Sequence, residues 1–590
     1  MDLYGNAAAL RVAHRFFMTE RTDCGEIPYT PSKTNSTGKE EETDFPFPRV
    51  SPERVGIPRE VLTSFLRQVG GRFDNHPHAV LLLKDGKCVV QAALPGYSVR
   101  RPHMTFSMCK SVTGMAVGFL REEKGLDFDA PLLSFFPEYA AVSPARAKKI
   151  TVRHLLTMKS GAEFAEVGSV TSENWVRSFF TSGVKFEPGT AFAYNSMNTF
   201  MLSALVCRLT GESLNEYLRP RLWEPLHIPV PLWEKEASGV EKGGWGLYLC
   251  PVAMAKLGLT FLNGGKYDGK QVLPLSYLED AAGFRTAVPD RVGAYDYGYQ
   301  MWTEKNGKTF LFNGMLGQNV FIYPEKNMVL VMTGGDEKMF QDTFGVTLAR
   351  ELFEAPFPPC RFSPKARRAF RKAEASFGEA GSFIGFRATK ETRRNAVRGE
   401  SLTGTYRAPF NRGVFPAVTQ LMQNNFTPGF SVIKVEKTGK KPLSDLRLTL
   451  TDGETETVFP VGICSPRYKE LDVNGEKYLV AGLGEWVLDV CRRPVLKIEL
   501  RYGELASAKR LVFRRDDATG EVILTLSETP GFPVLTSVLE SAAAQAQDGF
   551  LDMALSFIKE RKSLAAFTEK AKEVFCTDLT LTKEEPNDEQ

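Results

Sequence analysis

The 590-residue chain lacks the features that mark several classes of protein. Its nine cysteines, Cys24 to Cys576, form no C-x-x-C pair, and their number is odd. That excludes a secreted disulfide framework and points to reduced thiols in a cytoplasm. The six histidines include no H-E-x-x-H, and His76 and His78 merely flank a proline, so neither a metal nor another cofactor is expected. Lys and Arg number 74 against 70 Asp and Glu, a net charge of +4, too small to draw nucleic acid as a partner. In the first stretch, MDLYGNAAALRVAHRFFMTERTDC, Arg11, His14 and Arg15 interrupt any apolar run, so no signal peptide is read there. No other run approaches the ~20 apolar residues of a membrane span. The expectation is a cytoplasmic protein without a membrane partner. No serine sits in the G-x-S-x-G elbow of α/β-hydrolases, and no internal repeat is visible.

What is present is an ordinary globular composition, 43% hydrophobic and 24% charged, over a length that calls for about two to four cores. Residues 1–50 read as an arm or linker, rich in Pro, Ser, Thr and charge over 25–50. Residues 51–357 read as one α+β domain. AVLLLK and KCVVQA, joined by Asp85-Gly86, form an early hairpin; about three strands return near the end, with helices between. This predicts one antiparallel sheet, flanked by helices and built from both ends of the segment. Residues 358–400 are a basic helical connector, read as a solvated helix. Residues 401–535 turn β-rich, with Asp452-Gly453 and Asn474-Gly475 between alternating runs, and predict an antiparallel barrel or sandwich. Residues 536–590 read as a terminal helix and a disordered acidic tail, KEEPNDEQ.

Chemistry concentrates in three places. S-x-x-K occurs five times, at Ser36, Ser107, Ser182, Ser431 and Ser556. Only Ser107 opens a long, nearly all-apolar helical stretch, through Met108, Val112, Met115, Ala116, Val117, Phe119 and Leu120. A spacing of three places Lys110 on the same helix face as Ser107. Burial lowers the lysine's pKa towards a usable base, and the helix N-terminus favours charge developing on the hydroxyl. Taken alone, the motif is better described as an N-cap serine with a stray lysine; the lysine on so apolar a helix is what asks for a role. The second place is EPGTAFA-Tyr194-Asn195-Ser196-Met-Asn198, where Pro-Gly sets a phenol at a helix entry as a candidate base and proton donor. The third is Phe312-Asn313-Gly314-Met315-Leu-Gly317-Gln318, a strand edge whose glycines admit close approach to backbone and whose N–H can complete an oxyanion hole with that of Ser107.

Order and spacing then become recognisable. SMCKSVT, LDFDAPLLSFFPEY, ITVRHLLTMKSG, PGTAFAYNS, LTGESLNEYLRPRLWEPLHI and GGWGLYLCPVAMAKLGLTFLNGG follow the pattern of the serine β-lactamase-related family over about residues 51–355. The chain thus resembles class C β-lactamases, penicillin-binding proteins, esterases and nylon-oligomer hydrolases. The resemblance implies a β-lactamase/transpeptidase-like domain with Ser107 as the acylated nucleophile, Lys110 as its base, Tyr194 as the second-motif tyrosine, and the N–H groups of Ser107 and Met315 as the oxyanion hole. Two departures bear on the substrate. The family's Tyr-x-Asn is here Tyr194-Asn195-Ser196, so Ser196 is expected to bond the lysine or substrate, and Asn198 to supply an amide. The family's third-motif Lys or His is here Phe312, with Gly314 and Gln318 expected beside the substrate; the G-x-x-G-Q resembles esterase-like members. The reading is an acyl-enzyme hydrolase of small esters, amides or short peptides, and a poor β-lactamase. The alternative is a catalytically silent sensor or scaffold.

Overall fold

A computed structural model describes residues 12, 15–19, 31, 33, 45–72, 76–169, 171–290, 293–305, 307, 309–339, 343–537 and 561–584. Most of the predicted arm, and the acidic tail from residue 585, lie outside the described residues. Residues 59–354 form a seven-stranded antiparallel sheet with helices on both faces. The strands are β1 (Pro77–Lys84), β2 (Lys87–Ala93), β3 (Tyr295–Tyr297), β4 (Trp302–Glu304), β5 (Phe310–Gly314), β6 (Gln318–Tyr323) and β7 (Met328–Gly334), in the order β2-β1-β7-β6-β5-β4-β3. The sheet therefore joins both ends of the segment, because β1 pairs with β7 along its whole length. Asp85 and Gly86 both take left-handed φ, 53° and 69°, as a tight hairpin turn between β1 and β2 requires.

The unbroken apolar run of β1 follows from burial on both faces. Leu81 and Leu83 pack with one core, Val80 and Leu82 with the other. The first core holds α2 (Cys109–Lys124), α3 (Ser196–Thr210) and α4 (Pro251–Leu262). The second holds α1 (Arg59–Gly70) and Phe344–Glu354. The connector is not a solvated helix. Its first helix, α5 (Pro364–Ala375), buries Ala366, Phe370 and Ala373, with Phe370 and Ala373 joining the second core; the second, α6 (Lys390–Arg398), buries Asn395 and Ala396. Its basic residues occupy the outward faces.

The β-rich region is a barrel: β8 (Gly404–Arg407), β9 (Val432–Lys437), β10 (Leu446–Asp452), β11 (Thr455–Ile463), β12 (Arg467–Val473), β13 (Glu476–Leu488), β14 (Pro494–Tyr502), β15 (Ala508–Arg515), β16 (Val522–Thr529) and β17 (Cys576–Lys583). Neighbours run β11-β10-β9-β8-β17-β16-β15-β14-β13-β12, and the end of β11 closes the ring by parallel pairing with β13. Helix Arg561–Phe575 agrees with the helical reading, but the segment after it does not fit a helix-and-tail description. In β17, Leu579 and Leu581 turn inward while Asp578 and Thr580 stay outside, so the strand fills the gap between β16 and β8. Among the described residues no helix is long and apolar enough to cross a membrane.

Helix α2 is held close to its neighbours by small residues. A Cβ on Gly118 would lie 2.5 Å from the Tyr277 ring, and one on Gly114 would lie 2.8 Å from the Tyr277 hydroxyl. Replacing glycine by alanine inside a helix ordinarily stabilises by about 0.5–1 kcal/mol. Here overpacking, at about 1–3 kcal/mol, outweighs that gain. Gly118→Ala is expected to lower the thermal unfolding midpoint by a few degrees; a higher midpoint would contradict the packing described.

Candidate active site

Ser107 lies in a short 3-10 turn, Phe106–Met108, that runs directly into α2. Phe106 takes a left-handed φ of 47°, a strained conformation for an aromatic residue, and this turns the chain sharply before Ser107. Lys110, one helical turn on, is 1% exposed. Its Nζ donates to Ser107 Oγ at 2.9 Å, Ser196 Oγ at 2.8 Å and the Gly244 carbonyl at 2.7 Å. All three bonded partners are neutral. Burial therefore dominates, and it lowers the Lys110 pKa to about 8, against weaker upward pulls from Cys109 and Glu166.

Tyr194 precedes α3 and bonds Ser107 through its hydroxyl. Its ring stacks on Trp302 at 5.6 Å, meets Tyr297 edge-on at 6.0 Å, and has Lys110 Nζ 5.0 Å from its centre. Burial pushes the phenol well above its usual range, beyond what its bond to Ser107 offsets. Asn195 caps α3, accepting from Met197 N at 2.8 Å, and donates to the carbonyls of Ala162 (3.0 Å) and Phe164 (2.8 Å). Ser196 thereby stands at the first turn of α3, its Oγ on Lys110 and its N–H donating to Glu166 at 2.9 Å.

The end of β5 comes against the Ser107 turn. A Cβ on Gly314 would lie 2.1 Å from the Thr105 carbonyl and 3.2 Å from Met108 N, so only glycine fits there. Met315 follows, half-buried, at the start of a turn whose next residue, Leu316, has a φ of 61°.

Three expectations about substrate contacts are corrected. Asn198 is fully buried with its amide committed, accepting from Ser160 Oγ at 2.5 Å and donating to Met158 Sδ at 3.4 Å. It lies two residues after Ser196, and on a helix that spacing turns it to a different face. Phe312 is 1% exposed, with its ring edge-on to Phe261 of α4 at 5.7 Å; strand alternation sends it into the core under the sheet. Gln318 is fully buried and staples the turn instead of meeting substrate. Its Nε2 donates to the carbonyls of Met315 (3.2 Å), Leu316 (3.0 Å) and Gly334 (2.8 Å), and its Oε1 accepts from Gly334 N at 3.1 Å.

Several site residues were not singled out from the sequence. Gly244, which receives Lys110, lies in Gly-Gly-Trp-Gly, and its Cβ would crowd Ser196 at 3.0 Å; that glycine cluster was the available signal. Gln300 ties the two site helices together, accepting from Thr199 Oγ1 at 2.6 Å through its side chain and from Ser111 Oγ at 2.9 Å through its carbonyl. Glu166 and Trp302 carry no local motif. Cys109, beside Ser107, is an inert thiol: burial pushes its pKa up to about 12. A cleft flanks the site, bounded by Phe106, Trp245 and Glu234 on one side and by Met422, Gln423 and Ala506 of the barrel region on the other. Among the described residues no cluster of three or more His, Cys, Asp or Glu has the geometry to hold a metal.

A Beta-lactamase family model matches residues 73–345. Over 284 residues the chain is 25% identical to the 6-aminohexanoate-dimer hydrolase of Paenarthrobacter ureafaciens, covering 43% of this chain and 71% of that protein. Among solved structures it is similar to a penicillin-binding protein homologue from Caulobacter crescentus, at 16% identity and a TM-score of 0.42, covering 52% of this chain and 97% of that one. It is also similar to EstCE1, a hydrolase with promiscuous acyltransferase activity, at 14% identity and a TM-score of 0.39, covering 55% and 99%. Residues 73–345 form a beta-lactamase-family domain, a helix-flanked antiparallel sheet with the Ser107 turn set against the end of β5 and Tyr194 stacked on Trp302 of β4.

Proposed function

We propose that the protein is a serine hydrolase that cleaves small esters or amides through an acyl-enzyme on Ser107. The observation that carries this reading is the buried Lys110 Nζ, 2.9 Å from Ser107 Oγ, with a pKa lowered to about 8. As a neutral amine, Lys110 keeps two donors for Ser196 and Gly244 and turns its lone pair to the Ser107 hydroxyl. It takes that proton as Oγ attacks the carbonyl carbon. The N–H groups of Ser107 and Met315 face the oxyanion. Tyr194 is still a phenol at this pH, because burial raises it; it gives its proton to the leaving group and recovers one from the Lys110 ammonium. Water then attacks the acyl carbon and gives a proton to Lys110; the bond from that carbon to Ser107 Oγ breaks, Oγ takes the proton back from the Lys110 ammonium, and the acid is released.

Phe312, where relatives that cut β-lactams place a cation, faces the core and offers a substrate carboxylate nothing. The enzyme is accordingly a poor β-lactamase. Phe312→Lys is expected to destabilise the fold, since it buries an unpaired charge, and to bring no gain on a chromogenic cephalosporin; a gain would restore the residue to the substrate pocket.

Labelling by a fluorophosphonate separates this reading from a silent sensor or scaffold. Wild type should be modified at Ser107, and Ser107→Ala should not; absence of labelling in both favours the silent reading. For a p-nitrophenyl ester, kcat/KM should rise with pH through an apparent pKa of about 8, as Lys110 loses its proton. Lys110→Ala and Tyr194→Phe should each lower it by roughly 10²–10⁴-fold. A profile governed by a group titrating below pH 6 would contradict the assignment.

Gln318 acts through the turn it staples. Gln318→Ala frees the Met315 and Leu316 carbonyls and misplaces the neighbouring N–H. It should lower kcat about ten- to a hundredfold, short of the loss of an oxyanion donor itself, with little change in KM. A raised KM with unchanged kcat would return Gln318 to substrate binding.

A further inference from the structure

The acylation step creates a positive charge where the surroundings balance it least. When Lys110 takes the Ser107 proton it becomes an ammonium, 1% exposed and bonded to two hydroxyls and a carbonyl. None of the three is charged, so the desolvation that makes the amine a base also penalises its protonated product. The ionisable groups around Nζ offer little else. On α2 the neighbour is Cys109, whose thiol keeps its proton because burial pushes its pKa up to about 12. Tyr194, before α3, and Tyr297, on β3, are phenols that burial raises well above their usual range. Beside Gly244, Lys242 pairs with Glu234 at 2.8 Å. There remains the carboxylate of Glu166, which pulls on Lys110 electrostatically.

Glu166 is seated at the site through Ser196. Its Oε1 accepts from Ser196 N at 2.9 Å, and Oγ of the same serine accepts from Lys110 Nζ at 2.8 Å. One residue thus links carboxylate to amine, and the covalent reach of a serine limits their separation to about 10 Å. The loop that leads to Glu166 is pinned by Asn195, the cap of α3, whose Nδ2 donates to the carbonyls of Ala162 and Phe164. The carboxylate meets the first turn of α3, where the helix dipole favours an anion.

A carboxylate about 10 Å from an amine, in surroundings of effective dielectric near 20, favours the ammonium roughly tenfold. That has two consequences of opposite sign. Neutral amine becomes scarcer below about pH 8, and once neutral it is a stronger base. A group that only held α3 in place would change the rate equally at every pH.

We propose that Glu166 is a positioning residue for acylation, seated on Ser196 to balance the ammonium that forms on Lys110 when Ser107 gives up its proton. The proposal rests on the hydrolase reading above and adds a residue to its machinery. Glu166→Gln removes the charge and leaves an amide oxygen for Ser196 N. Loss of a neighbouring negative charge disfavours the ammonium, so the apparent pKa of kcat/KM for a p-nitrophenyl ester should fall from about 8 by about one pH unit. The alkaline plateau should drop several-fold while the rate near pH 6 equals or exceeds that of wild type, so the two profiles cross. Glu166→Asp keeps the charge but shortens its reach to Ser196, and should retain the wild-type midpoint. A uniform loss at all pH, a midpoint unmoved or raised in the Gln variant, or an Asp variant shifted as far as the Gln variant overturns the proposal. If Glu166→Gln fails to fold, the Asp variant decides alone: a wild-type midpoint supports the role of the charge, and a lowered one overturns it. Titration of the 13C-labelled Lys110 ε-carbon reads the same shift without turnover. In a protein whose wild type hydrolyses no ester, a Lys110 midpoint lowered by Glu166→Gln keeps the link between the two residues and sinks the hydrolase reading; an unmoved midpoint sinks the link itself.

Discussion

The buried amine of Lys110 is the constraint on which the site depends. A lysine that is 1% exposed and bonded to three neutral partners cannot hold its proton as a solvated lysine does. Its surroundings are arranged to keep it there. Gly114 and Gly118 let Tyr277 close over α2, Asn195 starts α3 so that Ser196 reaches Nζ, and Gly244 brings a carbonyl where any larger residue would collide with Ser196. Tyr194 is fixed from the other side by Trp302 and Tyr297. The two ionisable partners of Ser107 are thereby driven apart: burial lowers the amine and raises the phenol, and this division fits one group to accept a proton and the other to give one.

The barrel has a direct bearing on the same site. Its Met422, Gln423 and Ala506 form one wall of the cleft beside Phe106. The Glu504 carbonyl accepts from Met104 N at 2.8 Å, tying the barrel to the segment that leads into Ser107. The beta-lactamase-family domain carries Ser107, Lys110 and Tyr194, and the barrel region forms part of the cleft wall beside Phe106.

Local rules carried the reading furthest where a few residues decide the outcome. Asp85-Gly86 makes a hairpin because both residues tolerate left-handed φ, and a serine and a lysine three apart on an apolar helix share a face in any tertiary context. The reading failed where direction depends on distant partners. Phe312 turns from the site because α4 presents Phe261 beneath the sheet; Asn198 is captured by Ser160; Gln318 meets carbonyls of its own turn. Strand β17 alternates plainly, yet its role appears only once β16 and β8 leave a gap for it. Lys33 lies in a stretch whose composition describes an arm, and nothing local announces that it is buried against Glu504, 471 positions away.

The central claim is that burial among neutral partners lowers the Lys110 pKa to about 8, so that a working fraction of the amine is neutral near physiological pH. Titration of the protein with 13C-labelled lysine ε-carbons, with the Lys110 signal assigned from Lys110→Ala, measures this directly. The account predicts a midpoint of about 8 for Lys110, well below the 10.5 of an unperturbed lysine. A Lys110 that titrates above 10 would contradict it.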